Sequence, residues 1–171
     1  SGDNNASSNY EVDSGGTTYK YIVTSKGFFN GNNKVIRVNG DGTYKVINLT
    51  ITNQGNGSNK AKDFAWVSNH PSGKDFVGYD SNANDLLGAE ITSHTNIGSN
   101  SEAMTIDLSV LNGNIGSGIG SNSGAAMSLG NGDVYFLENN TGDLWLYDES
   151  AGSLTETNDD FNSSSNTDGA G

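Results

Sequence analysis

The chain contains no cysteine, one proline (Pro71) and one arginine (Arg37) among 171 residues. The missing thiols remove disulfides, thiolate catalysis and cysteine metal sites together. No run of about 18 apolar residues occurs, so no apolar helix long enough to cross a bilayer is expected. Charge is scarce at 16% and lopsided, with 20 acids against 8 bases for a net −12. Such a chain repels phosphates and has one guanidinium with which to read them, so nucleic acid is not an expected partner. Stretches of 3.6-residue periodicity are missing too, because glycine or asparagine interrupts nearly every window.

What fills the chain instead is small and polar: 24 Gly, 25 Asn and 22 Ser. Hydrophobic residues make up 32%, against roughly 45–50% (Gly included) in ordinary domains. The length suits one domain with or without tails. Together these features imply an acidic, soluble β-protein located outside the cell or on its surface. N-x-S/T sequons stand at Asn5, Asn48, Asn56, Asn139 and Asn162, although a chain this rich in Asn, Ser and Thr produces several by chance.

Period-two alternation is plentiful. Met104, Ile106, Leu108 and Val110 alternate with Thr105, Asp107 and Ser109, and Ile47, Leu49 and Ile51 alternate with polar neighbours. Each pattern marks a strand with one face on a core. Further strands are expected at Tyr19–Ser25, Lys34–Asn39, Asp63–Ser68, Lys74–Tyr79, Leu86–Thr92, Asp133–Glu138 and Asp143–Asp148. Asn39-Gly40-Asp41-Gly42 and Asn139-Asn140-Thr141-Gly142 supply hairpin turns between them. The expected fold is therefore all-β: an immunoglobulin-like or jelly-roll sandwich of seven to nine short antiparallel strands over residues 17–150. Polar tails are expected at 1–16 and 151–171. The segment 112–132, with seven glycines, reads as a flap or as irregular backbone pinned to a neighbouring surface.

The hairpin over 133–148 is apolar on both faces: Val134 and Phe136 against Tyr135 and Leu137, Leu144 and Leu146 against Trp145 and Tyr147. A face turned to water should be polar, so both faces need cover. Burying one such side chain is worth about 1.5–3 kcal/mol, so four are worth roughly 6–12 kcal/mol before entropy. The cover could be a loop of the same chain, a ligand or another subunit. In the last case Tyr135, Leu137, Trp145 and Tyr147 are subunit-contact residues.

Catalytic signatures are weak. His70 and His94 lie near no nucleophile motif, no metalloprotease helix or phosphate-binding loop is present, and spacing singles out no carboxylate pair. No enzyme is expected, and His70 reads as an exposed turn histidine. Asp80, Asn82, Asn84 and Asp85 place oxygen ligands along one loop, the chemistry that suits Ca²⁺. The EF-hand pattern fails there, with Asp85 at the glycine position and Ile91 at that of the bidentate glutamate, leaving a different calcium loop or a polar turn. Asn39, Asp41 and Thr43 read as hairpin turn. Trp66, Trp145, Tyr79, Tyr135 and Tyr147 could stack on sugars, but Trp66 shares a strand face with Phe64, as a core residue should.

The order Leu49-Thr50-Ile51-Thr52-Asn53, Asp63-Phe64, Gly73-Lys74-Asp75-Phe76, Ile97-Gly98-Ser99 and Met104-Thr105-Ile106-Asp107-Leu108 resembles secreted immunoglobulin-like domains of prokaryotic surface lipoproteins. The likeness covers about 40% of the chain and departs at Val110, where a glycine-rich segment and an extra hairpin follow. In composition the chain is also similar to TasA/camelysin-type extracellular fibre subunits and to archaeal bundling pili. These resemblances imply a non-enzymatic structural subunit of a fibre or surface assembly, whose copies complete one another with a donated strand. The donor would be Tyr10–Asp13, through Tyr10 and Val12, or Tyr19–Ser25, with Ca²⁺ screening acidic subunits. A monomeric carbohydrate- or calcium-binding module is the alternative.

Overall fold

A computed structural model describes residues 5–25, 34–53, 64–67, 70–80, 83–113, 115, 119, 123–138, 141–160 and 169–170. These residues form fourteen strands and no helix, in three mostly antiparallel sheets. The first sheet runs in chain order: β1 (Asn5–Ser14), β2 (Thr17–Ser25), β3 (Lys34–Val38) and β4 (Tyr44–Val46). The middle sheet has the order β5 (Asn48–Thr52), β9 (Ala103–Asn112), β8 (Asp85–Thr95), β7 (Phe76–Asp80), β6 (Phe64–Trp66). The third has the order β13 (Ser153–Asp160), β12 (Asp143–Asp148), β11 (Val134–Glu138), β10 (Ser123–Ser128), β14 (Gly169–Ala170). Pairing is parallel only for β5 with β9 and for β10 with β14 among the described strands.

Two apolar cores result, one on each side of the middle sheet. Tyr10, Tyr21, Val23, Val35 and Ile47 from the first sheet meet Phe64, Phe76, Leu87, Ala89, Met104, Ile106 and Leu108. On the other side Ala65, Val67, Val77, Tyr79 and Leu86 meet Ile119, Ala126, Val134, Phe136 and Tyr147. The chain at β6 and β7 supplies both cores, because successive side chains of a strand point to opposite faces. β7 is consequently buried at every position, and a strand covered on both faces is apolar along most of its length, here until the terminal Asp80. The architecture is a β-sandwich with a third sheet laid on it.

The polar start of the chain is not a tail over its described residues, since β1 pairs with β2 along its whole length. Ser8, Tyr10 and Val12 alternate with Asn9, Glu11 and Asp13, and Gly15 and Gly16 (φ 57° and 80°) form the two-residue turn. Positive φ at both turn positions is what such a tight hairpin requires, and glycine adopts it without strain. The C-terminal residues differ from expectation likewise: β13 pairs with β12, and Leu154 packs against the second core. The glycine-rich segment contributes β10 and the buried Ile119. Strand number thus exceeds seven to nine because backbone pairing recruits polar segments that carry only one to three apolar residues each. Residues 1–4 and 161–168, and the sequons at Asn56, Asn139 and Asn162, lie outside the described residues.

β4 and β5 are nearly one strand shared between two sheets. At the switch, the Ile47 N–H donates to the Val35 carbonyl (2.8 Å) and the Asn48 N–H to the Glu102 carbonyl (3.3 Å).

Candidate functional site

Most side chains between the first and middle sheets are apolar, and Glu102 is a charged exception. It immediately precedes β9 and is fully buried (0% exposed). A carboxylate in that position must be paired and hydrogen-bonded. Here four donors converge on it: Tyr21 hydroxyl to Oε1 (2.6 Å), His94 Nε2 to Oε1 (2.8 Å), Arg37 Nε to Oε2 (2.8 Å) and the Gly98 N–H to Oε2 (3.2 Å). Tyr21 and Arg37 come from the first sheet; His94 and Glu102 belong to the β8–β9 hairpin of the middle one. Arg37, the only arginine of the chain, also donates Nη1 to Asn39 Oδ1 (2.5 Å) and lies 5.7 Å from the centre of the Tyr19 ring. Tyr21 meets the His94 ring edge-on at 5.2 Å. Tyr19 in turn packs against the Gly98 turn: its hydroxyl occupies the space a Cβ on Gly98 would need, and Gly98 holds φ +83°.

Burial works to raise the Glu102 pKa, but the hydrogen bonds from Tyr21, His94, Gly98 and Arg37 outweigh it and hold the carboxyl below its ordinary range. Tyr21 moves upward, through burial first and then its bond to Glu102. With its lone pairs occupied, Glu102 is held as an anion and has no proton to give at neutral pH. The cluster therefore suits a rivet between two sheets. Because the folded-state pKa lies below the unfolded one, its stabilisation is complete above the unfolded carboxyl value, about 4.3. It is lost as pH falls through the folded value. The melting temperature should decline between pH 5 and pH 3, and Glu102→Gln should flatten that decline; an equal acid slope in both proteins would locate the sensitivity elsewhere.

Three of the four residues expected to form a calcium loop are among the described residues, at the turn between β7 and β8. Asp80 is buried at the end of β7 and is the cross-strand partner of Asp85, as in a closed hairpin. Asn84 (φ 57°) accepts the Tyr79 hydroxyl on Oδ1 (2.9 Å), and its carbonyl accepts the Ile115 N–H (2.9 Å). Asn82 lies outside the described residues. Burial, followed by Asp80, Asp85 and Glu138 nearby, leaves the Tyr79 hydroxyl pushed up to about 12. No group of three or more His, Cys, Asp or Glu side chains converges as a metal site among the described residues. Asp41 accepts the N–H and hydroxyl of Thr43 (2.9 and 2.7 Å), a turn arrangement as expected.

The residues expected at subunit contacts divide. Cross-strand pairing sets Phe136 beside Trp145 and Val134 beside Tyr147, so Trp145 and Tyr147 face the second core rather than a partner. The Trp145 indole N–H is buried with no acceptor among the described residues, a poor posture for a sugar platform. Tyr135 and Leu137 do lie on the outer face, opposite Leu146 and Leu144. Tyr10 is buried within its own chain and Val12 packs against the first core. His70, expected to be exposed, is 4% exposed: Nδ1 meets Ser72 Oγ (2.6 Å) and Nε2 lies 3.5 Å from Glu149 Oε2. The turn after His70 sits against the third sheet, with Pro71 packed near Gly132.

No family model, curated protein or solved structure matches the chain. Its class is defined by the fold alone: an all-β, layered-sheet protein of sandwich type.

Proposed function

We propose that the chain is a non-enzymatic structural subunit of an extracellular fibre or cell-surface assembly, polymerising by exchange of a β-strand between copies. The observation that supports this most is the seating of β1. It is an edge strand, tied to β2 by a two-glycine turn, and its Tyr10 ring lies between Trp66 (centroids 4.4 Å) and Tyr21 (5.1 Å). An edge strand that fills an aromatic slot can fill the same slot in a neighbour with every contact conserved, which makes exchange a low-cost route to assembly. Opening the Gly15–Gly16 turn releases it. The resemblance to fibre subunits and the acidic, cysteine-free composition agree with this reading.

A reversible lock tests it. Asp13 and Thr18 are exposed cross-strand partners, and opposed strand positions have Cα separations compatible with a disulfide. Oxidised Asp13→Cys/Thr18→Cys should remain monomeric and form filaments when reduced, as seen by negative-stain microscopy. Equal polymerisation in both redox states would remove strand exchange.

A further inference from the structure

The free edges of the three sheets are guarded unequally. An edge strand presents unpaired backbone N–H and C=O groups to any second chain, and proteins blunt such edges by shortening, charging or covering them. Among the described strands the edges are β1 and β4, β5 and β6, β13 and β14. β6 and β14 are three and two residues long. β1 carries Glu11 and Asp13, β4 carries Lys45, and β13 carries Glu156 and Asp159. β5, Asn48-Leu49-Thr50-Ile51-Thr52, is five residues long and has no charged side chain.

That same strand holds a complete sequon, Asn48-Leu49-Thr50, the acceptor pattern for an N-linked sugar. Leu49 and Ile51 pack on the first core, whereas Asn48, Thr50 and Thr52 are exposed on the opposite face of the middle sheet. The third sheet packs elsewhere on that face, against Ala65, Val67, Val77, Tyr79 and Leu86 of the β6, β7 and early β8 segments. Across β9 and β8 the row through Asn48 continues with Ala103 and Thr95, both small. A sugar on the Asn48 amide therefore points into solvent. The order of synthesis favours its attachment as well. β9 is the only strand paired with β5 among the described ones, with Asn48 opposite Ala103. The sequon thus stays unpaired until the chain beyond Ala103 has been made.

We infer that Asn48 is an N-glycosylation site and that its glycan covers the uncharged β5 edge. This rests on the reading of the chain as a protein outside the cell, but not on strand exchange. The donor is a sugar activated at its anomeric carbon as a phosphate or diphosphate ester. The Asn48 amide nitrogen bonds to that carbon, the carbon–oxygen bond to the donor's phosphate breaks with its electron pair, and the amide proton passes to a base of the transferase. Thr50 supplies the hydroxyl by which the transferase reads the sequon. The attached sugar is bulky and well hydrated, so it does for β5 what short length or charge does for the other edges.

The test is mass spectrometry of the full chain purified from its own source. Trypsin cuts after Lys45 and Lys60 and frees residues 46–60, which include the sequons at Asn48 and Asn56. That peptide should carry the mass of a glycan, and fragmentation should place it on Asn48. Asn48→Gln and Thr50→Val, both at exposed positions, should each lose it. At equal concentration Asn48→Gln should sediment as larger aggregates than the parent, and Asn48→Gln/Thr50→Lys, which charges the edge, should sediment as the parent does. A bare Asn48 in the parent, or a glycan that survives Thr50→Val, would overturn the site. Unchanged sedimentation of Asn48→Gln would overturn its covering role. A bare Asn48 in filaments recovered outside the cell leaves the structural-subunit reading standing, whereas a bare chain retained inside the cell removes both.

Discussion

Glu102→Ala is expected to lower stability by about 3–5 kcal/mol, the cost of leaving one member of a buried ion pair without its partner. For a chain of this length that corresponds to a fall in melting temperature of about 10 °C. The loss has two parts. Arg37, with a side chain 9% exposed, keeps a charge it cannot hydrate, and the Tyr21 hydroxyl and Gly98 N–H lose their acceptor. Glu102→Gln retains an acceptor but not the charge, so it should fall between parent and alanine variant. The apolar double variant Arg37→Met/Glu102→Leu removes the orphaned charge altogether and should recover much of the loss, since well-packed apolar pairs often replace buried ion pairs without penalty. A double variant as unstable as Glu102→Ala would mean that the other donors, rather than the guanidinium, account for the effect.

Tyr10→Ala should be comparably severe, at about 3–5 kcal/mol for deletion of a buried aromatic ring. Tyr10 is 4% exposed, stacks on Trp66 and Tyr21 with interplanar angles of 8° and 17°, and meets Phe76 edge-on at 5.5 Å. Among the described residues its hydroxyl reaches only the Met104 sulfur, at 3.6 Å, a weak acceptor. Tyr10→Phe should therefore cost less than about 1 kcal/mol. Chemical denaturation of the three proteins separates ring from hydroxyl; equal losses for phenylalanine and alanine would show that the hydroxyl carries the contact. Tyr21 touches both Tyr10 and Glu102, so the Tyr10→Ala and Glu102→Ala effects should not add, and a double-mutant cycle should record the coupling.

The sandwich was legible where apolar residues alternate over several positions, as at Met104, Ile106 and Leu108 or Ile47, Leu49 and Ile51. It was not legible in β1, where Tyr10 and Val12 are the only large apolar residues among ten; long-range stacking on Trp66, invisible to local pattern, orders that strand. Alternation in the 134–148 hairpin showed which residues share a face but not which face looks inward. The third sheet's packing on Val77 and Tyr79 decided that, and it moved Trp145 and Tyr147 inside. The buried cluster left a signal that went unread. Glu102 stands in phase with Met104, Ile106 and Leu108, and Arg37 in phase with Val35, so two opposite charges each lie on the core side of a strand. Charges so placed require each other, because neither can be buried alone. His70 misled for a related reason: its turn is polar and carries the proline, yet Nε2 lies against Glu149 and Pro71 packs near Gly132, so tertiary contact with the third sheet buries the ring.

Ile47 has a mechanical corollary. The segment Tyr44–Thr52 belongs to two layers at once, so sliding the first sheet over the middle one must break backbone bonds on both sides of this residue together. A load applied along the strands is thus shared between layers, and the sandwich should yield to shear as one body, at a single force, instead of peeling sheet by sheet.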